Sequence, residues 1–96
     1  MQFKFKEIAC PENPENKYFT YILECSDNSY YIGSTDNLKN RLKAHREKTG
    51  SYWTAVRLPL ILIYYEIYDT LAEARKRERQ FKGWTRKKKE LLIIKK

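Results

Sequence analysis

Apolar and polar residues alternate along this chain with two different periods. From Tyr18 to Cys25 aromatic and β-branched residues crowd together, and Tyr30-Tyr31-Ile32-Gly33 follows after Ser26-Asp27-Asn28-Ser29. Two β-rich runs separated by residues that cap their own backbone predict a hairpin, with Gly33 ending its second strand. The turn length decides which side chains share a face. An even loop pairs Tyr21 with Ser34 and sends Tyr21 and Tyr31 to opposite faces. A three-residue loop through Ser26 to Asn28, or a bulge with Asn28 left-handed, pairs Tyr21 with Gly33 and puts both tyrosines on one face. The odd loop is expected if the tyrosines act together.

The period then changes. Thr35 or Asp36 is expected to cap a helix running to about Lys48, with Leu38, Leu42 and Ala44 on its thin apolar stripe. Asn37, Arg41 and His45 recur at i, i+4 and i+8 along the edge of that stripe, so Arg41 and His45 point the same way. Gly50 is a natural residue to close this helix. Tyr52 to Leu58 reads as a connecting loop. Leu60 to Tyr68 is a nearly continuous apolar run with Pro59 at its start, the pattern of a central strand covered on both faces.

Thr70-Leu71-Ala72-Glu73 is a capping box, and the helix it opens carries Leu71, Ala74, Glu78 and Phe81 on its inward stripe. Thr85 is expected to cap a last helix to about Lys95, with Leu91, Leu92 and Ile94 inward and Arg86 to Lys89 outward. Residues 1–17 alternate Phe3 and Phe5 with lysines, as in a short strand, until Pro11 to Asn16 breaks regular structure. They read as a loosely attached arm before a domain spanning 18–96. The order is β-β-α-β-α-α: an α+β domain with a three-stranded, mainly antiparallel sheet flanked by helices.

Charge sharpens the picture. The 96 residues suffice for one modest core, and their formal charge is +8. From Arg75 to Lys96 there are eleven basic residues and two acidic ones, leaving nine basic and ten acidic for the rest of the chain. One basic face points to a polyanion as partner. With only Cys10 and Cys25, no CxxC and a single histidine, neither a disulfide framework nor structural zinc is expected. The N-terminus has no continuous apolar stretch of a signal peptide, and Leu58 to Tyr65 is too short to cross a bilayer. A cytoplasmic protein without membrane association is expected.

Glu78 is the first chemical anomaly, because a carboxylate on an inward stripe is costly unless it is paired, hydrated or bound to a metal. Taken singly, Glu78 could pair with Arg75 or Lys82, Arg41 could be an ordinary helix charge, His45 a satisfied histidine, and any one of eight tyrosines a packing residue. Together, Tyr21, then Tyr31-Ile32-Gly33, Arg41 and His45 on the next helix, and Glu78 in EARKRERQFKGW resemble the GIY-YIG nuclease domain, over about Tyr18 to Ile94. Small single-domain bacterial members are the nearest in kind.

The resemblance implies specific roles. Tyr21, Tyr31, Arg41 and His45 match catalytic positions, and Glu78 matches the ligand of a single Mg²⁺ or Mn²⁺. The chain departs from the family at Phe19-Thr20-Tyr21, where only the tyrosine of the first motif is kept, and at Ser34, where several members carry lysine. The activity implied is metal-dependent hydrolysis of phosphodiester bonds, in DNA rather than RNA, with branched or damaged DNA of repair and recombination as candidate substrates. Arg41 offers a planar fork for phosphoryl oxygens. Tyr21, Tyr31 and His45 all stay open as proton acceptors. Arg75, Lys82, Arg86, Lys87, Lys88 and Lys89 are the expected phosphate contacts. The alternative is a non-catalytic nucleic-acid-binding module on the same scaffold. A surface this small leaves specificity to a partner protein or to dimerisation.

Overall fold

A computed structural model describes residues 3–95 of the chain. Met1 and Gln2 of the expected arm and Lys96 of the expected domain lie outside the described residues. Strands β1 (Tyr18–Cys25), β2 (Tyr30–Thr35) and β3 (Leu60–Tyr68) alternate with helices α1 (Leu38–Arg46), α2 (Tyr52–Ala55), α3 (Leu71–Lys82) and α4 (Arg86–Ile94). The sheet is antiparallel throughout, in the order β2-β1-β3.

The hairpin takes the odd register. Tyr21 pairs with Gly33 and Leu23 with Tyr31, so both tyrosines share a face. Asn28 supplies the turn with a left-handed φ of 65° and bonds back through its backbone N–H to the Cys25 carbonyl. β2 runs two residues past Gly33, to Thr35.

The apolar run of β3 forms an edge strand, whereas β1 is central. An all-apolar strand reports covered faces, not paired edges, and both faces of this sheet are covered. On one side Phe19, Tyr21 and Leu23 pack with Leu38 and Leu42 of α1. On the other, Ile22, Ile32, Ile63 and Tyr64 pack with Phe81 of α3 and Ile93 of α4. Two buried polar residues kept the central strand from looking central. Thr20 donates to the Ala74 carbonyl at 2.7 Å, and the fully buried Glu24 accepts from the backbone N–H groups of Lys4 (2.7 Å) and Phe5 (3.0 Å) and from the Asn28 amide (2.8 Å).

That carboxylate ties down the arm. No strand forms over residues 3–6, yet the arm is fastened rather than loose. Ile8 N–H donates to the Leu62 carbonyl at 2.9 Å on the outer side of β3, and Asn13 accepts from Leu38 N–H at 3.0 Å at the start of α1.

Four local expectations change. Asn37 caps α1, accepting from Asn40 N–H at 3.1 Å, while Thr35 sits two residues back and accepts from Asn37 N–H. Lys48, not Gly50, takes the left-handed position after α1, with φ 67°. The expected loop after residue 51 contains α2, capped by Ser51. On α4 Ile93 is buried and Leu92 packs beside it against the core, as expected of Leu92. Leu91 and Ile94 stay exposed, because after the Thr85 cap the buried side chain falls between them.

Candidate functional site

The site is assembled at the free edge of β2, where groups from both faces of the sheet meet. Its foundation is a missing side chain. Gly33 faces the Tyr21 ring, and a Cβ there would lie 2.5 Å from the Tyr21 hydroxyl oxygen. The ring therefore lies flat across β2 and aims its hydroxyl past the strand. There it meets His45 Nε2 at 2.9 Å, and His45 Nδ1 meets the Thr54 hydroxyl at 2.9 Å. Thr54 also lies 2.8 Å from the Ser51 hydroxyl. Tyr21, His45 and Thr54 are all fully buried. Gly50 makes room for the ring as Gly33 does, since a Cβ on it would stand 2.6 Å from His45 Nδ1.

Arg41 sits beside this chain of bonds, and Thr54 gives it a direction. One arm of the Arg41 guanidinium donates to the Gly50 carbonyl at 3.0 Å, and its charge lies beside the Tyr21 and Tyr31 hydroxyls. The single Thr54 hydroxyl proton goes to the Ser51 carbonyl, so Thr54 accepts from His45 Nδ1, and the neutral ring is left to accept the Tyr21 proton at Nε2. His45 then carries its proton on Nδ1 and donates to Thr54, whose hydroxyl donates to the Ser51 carbonyl at 3.2 Å.

The titration behaviour agrees. Burial, helped by the Arg41 charge, pushes His45 down to about 4 and keeps it neutral. Burial likewise raises Tyr21 well above the ordinary phenol range, against the opposing pull of Arg41. The resting proton belongs to Tyr21.

Tyr31 is the tyrosine that solvent reaches. It is half-buried, with its ring 5.0 Å from His45 and 5.9 Å from Trp53 between centroids. Glu78 comes from α3 on the opposite face, yet reaches the same edge. Its side chain is 20% exposed, accepts from the Ser34 hydroxyl at 2.6 Å and pairs with Lys82 Nζ at 2.6 Å. Burial pushes its carboxyl up, but the bonds from Lys82 and Ser34 outweigh burial and hold it below the usual carboxylate range.

Two clefts flank this point along β2. One, of about 310 Å³, is lined by Ser34, Asp36, Arg41 and Arg75 among others. The other, of about 270 Å³, lies between Tyr31, Trp53, Lys82 and Lys89. A larger apolar cleft of about 410 Å³ lies elsewhere, between Phe5, Ile63 and Ile93, and contains none of these groups.

Arg41, Tyr31 and Glu78 thus border the accessible edge, and Tyr21 and His45 stand behind it. The basic residues divide. Arg75, Lys82 and Lys89 line the clefts. Arg86 pairs with Glu90 at 3.1 Å and lies 4.2 Å over the Tyr30 ring, Lys88 sits 4.3 Å over Trp84, and Lys87 is simply exposed.

Sequence reasoning missed Thr54 and Gly50 as parts of the site and Glu24 as the anchor of the arm. The Ser51-x-x-Thr54 spacing was the available signal for the first, a capping pattern opening a helix right after Gly50.

Among the described residues no three His, Cys, Asp or Glu side chains gather as a closed metal site demands. Glu78 still suits one kind of ion. A cation that keeps several waters needs only one or two protein carboxylates. The Lys82 ammonium, 2.6 Å from that carboxylate, already stands where a positive charge is welcome.

A family model described as the GIY-YIG catalytic domain matches residues 17–91. The UPF0213 protein YazA of Bacillus subtilis is 46% identical over 78 residues, covering 81% of this chain and 79% of that protein. Among solved structures, a protein from E. faecalis aligns with a TM-score of 0.61 at 35% identity, over 86% of this chain and 88% of that one. A UPF0213 protein from Bacillus halodurans aligns with a TM-score of 0.56 at 35% identity, over 83% and 85%.

Proposed function

The chain belongs to the GIY-YIG family, a family of nucleases acting on nucleic acids, and from that premise we propose that it is a Mg²⁺- or Mn²⁺-dependent endonuclease hydrolysing phosphodiester bonds in DNA. The observation that carries this reading is that Glu78 bonds Ser34 of the cleft holding Arg41 and Lys82 of the cleft holding Tyr31, so the three groups meet at one open edge.

Each residue has work suited to its surroundings. Arg41, held by the Gly50 carbonyl, presents its remaining donors to the non-bridging oxygens of a phosphate. Tyr31, half exposed and beside Arg41, orients the attacking water. Tyr21 and His45 are buried and act by holding Arg41 and Tyr31 in place. Glu78, with Ser34 beside it, is the residue that would hold the cation. A bound Mg²⁺ supplies charge stabilisation to the phosphoryl and leaving oxygens. Arg75 and Lys82 neutralise neighbouring phosphates, an attraction that weakens steeply with salt.

The pairing of Glu78 with Lys82 favours one second reading. A carboxylate occupied by its own lysine could leave the scaffold a DNA-binding module without turnover. Nicking of supercoiled, branched and single-stranded DNA under Mg²⁺ or Mn²⁺ separates the two. Cleavage by the parent protein and its loss in Glu78→Gln and in Arg41→Ala support the enzyme. Cleavage that survives Glu78→Gln overturns it, and salt-sensitive binding without cleavage selects the binding module.

A further inference from the structure

The two clefts beside Glu78 differ in a way that phosphate chemistry does not explain. The cleft holding Arg41, Arg75 and Asp36 is lined by charge and hydroxyls, as a backbone path would be. The other sets the Tyr31 and Trp53 rings across from the Lys82 and Lys89 amines, with the Tyr30 ring on the amine side. Tyr31 and Trp53 stand on the α1 side, Lys82 and Lys89 on the α3 and α4 side, and Ile32 lies between.

The rings are set in place before any ligand arrives. Trp53 is backed by the Arg57 guanidinium, 4.1 Å from its ring centroid. Arg57 in turn donates to the Trp53 carbonyl at 2.9 Å and pairs with Asp27 at 3.3 Å. Tyr31 is braced edge-on by His45. Pre-set rings bind without an ordering cost.

Lys89 is the half-buried cation of the run from Arg86 to Lys89. Lys82 is spent on Glu78, Lys88 on Trp84 and Arg86 on Glu90. Lys89 is half-buried, and among the described residues no carboxylate pairs with it. Burial and the nearby Arg86 charge lower its affinity for a proton. An unpaired, partly dehydrated amine facing two half-exposed rings suits a flat ligand that carries acceptors and negative charge.

Resting on the nuclease reading above, we propose that the Tyr31–Trp53–Lys82–Lys89 cleft receives an unpaired nucleobase immediately beside the phosphate held by Arg41, with Lys89 bonding its carbonyl or its phosphate. A base in a duplex is stacked on both faces and must leave the stack to lie on Trp53. The substrate is therefore single-stranded at the nucleotide that enters this cleft. Stacking of this kind tolerates any base, because every base has a π-face.

Binding can be measured without hydrolysis. In EDTA and low salt, the parent protein and Trp53→Ala are titrated with an oligothymidylate, an oligonucleotide of equal length made entirely of abasic sites, and a blunt duplex, following fluorescence anisotropy of the labelled nucleic acid. The parent should prefer the oligothymidylate to the abasic strand. Trp53→Ala should erase that preference by weakening oligothymidylate binding roughly five- to a hundredfold, the range alanine substitution of a stacking residue gives, with duplex affinity unchanged. Trp53→Phe, which keeps a ring, should retain most of the preference and serves if the alanine variant fails to fold. Equal loss for duplex and single strand, or an abasic strand bound as tightly as oligothymidylate, overturns the proposal. A protein that binds in this pattern yet never cleaves sinks the nuclease and leaves the base site standing.

Discussion

Gly33→Ala tests the foundation of the site without any assay of activity. The added Cβ would lie 2.5 Å from Tyr21 Oη, 2.7 Å from Cζ and 3.0 Å from Cε1. To recover an ordinary contact of 3.4 Å, the hydroxyl must retreat by about 0.9 Å. Tyr21 has no exposed surface and its hydroxyl is tied to His45 at 2.9 Å, so the retreat disturbs that bond or pushes β2 off β1. Overpacking of this size costs about 1–3 kcal/mol. A weakened buried hydrogen bond adds about 0.5–1.5 kcal/mol. Replacing a strand glycine returns about 0.5–1 kcal/mol. The net is a loss centred near ~2 kcal/mol, which for a domain of this size lowers Tm by roughly 8–16 °C. Urea and thermal unfolding followed by circular dichroism measure it. The decisive arm is a double-mutant cycle with Tyr21→Leu, which removes the three clashing atoms. In that background Gly33→Ala should be neutral or mildly stabilising. An equal cost in both backgrounds would refute the placement of Tyr21 over Gly33.

Other expectations follow from neighbouring contacts. Because His45 is held near 4 when folded and returns to 6.5 when unfolded, the unfolded chain takes up the proton first as pH falls. Its contribution is whole above pH 6.5 and drains away toward pH 4, at up to ~1.4 kcal/mol per pH unit. The stability difference between the parent and His45→Gln should carry that slope, and a flat difference across this window contradicts a buried neutral His45. Thr54→Val should cost about 1–3 kcal/mol by leaving the His45 Nδ1–H unpaired, with Thr54→Ser restoring most of it; equal unfolding midpoints for the two variants would exclude the bond. Glu24→Ala should release the arm, seen as fast amide exchange at Lys4 and Phe5 with the sheet still protected, whereas unchanged protection at those two amides would deny the clamp. Lys82→Met should tighten Mn²⁺ binding by up to about fivefold in calorimetry by freeing Glu78, and weaker binding would mean that Lys82 helps rather than competes.

Much of this was legible in the sequence, for reasons that differ by element. The hairpin register could be reasoned out because face-sharing is binary: one residue more or less in the turn flips Tyr31. Glu78 stood out because a carboxylate on an apolar stripe violates a local rule, and it resolves into bonds from Ser34 and Lys82. The central position of β1 was hidden because Thr20 and Glu24 look like surface residues until their long-range partners Ala74, Lys4 and Phe5 are known. Gly50 was read as a helix terminator from backbone preference alone. Its lack of a side chain serves a tertiary purpose, the seat of the His45 ring, while Lys48 accepts the left-handed turn. Burial was the other blind spot: helix spacing put Arg41 and His45 side by side but could not tell that one faces solvent and the other does not.

The free edge of β2 has a consequence for how this protein behaves in concentrated solution. Among the described residues no strand lies beside the outer peptide groups of residues 30–35, and such an edge is a template for another chain. Lys82 and Lys89 guard one end of it and Arg41 and Arg75 the other. A second copy approaching edge to edge meets Lys89, Arg41 and Arg75, with Lys82 already paired to Glu78, before any backbone bond can form. The cations assigned above to a nucleic-acid backbone thus also oppose self-association through this edge. Variants that neutralise them to weaken nucleic-acid binding trade away colloidal stability, so each must be checked for aggregation before its lost affinity is credited to lost contacts.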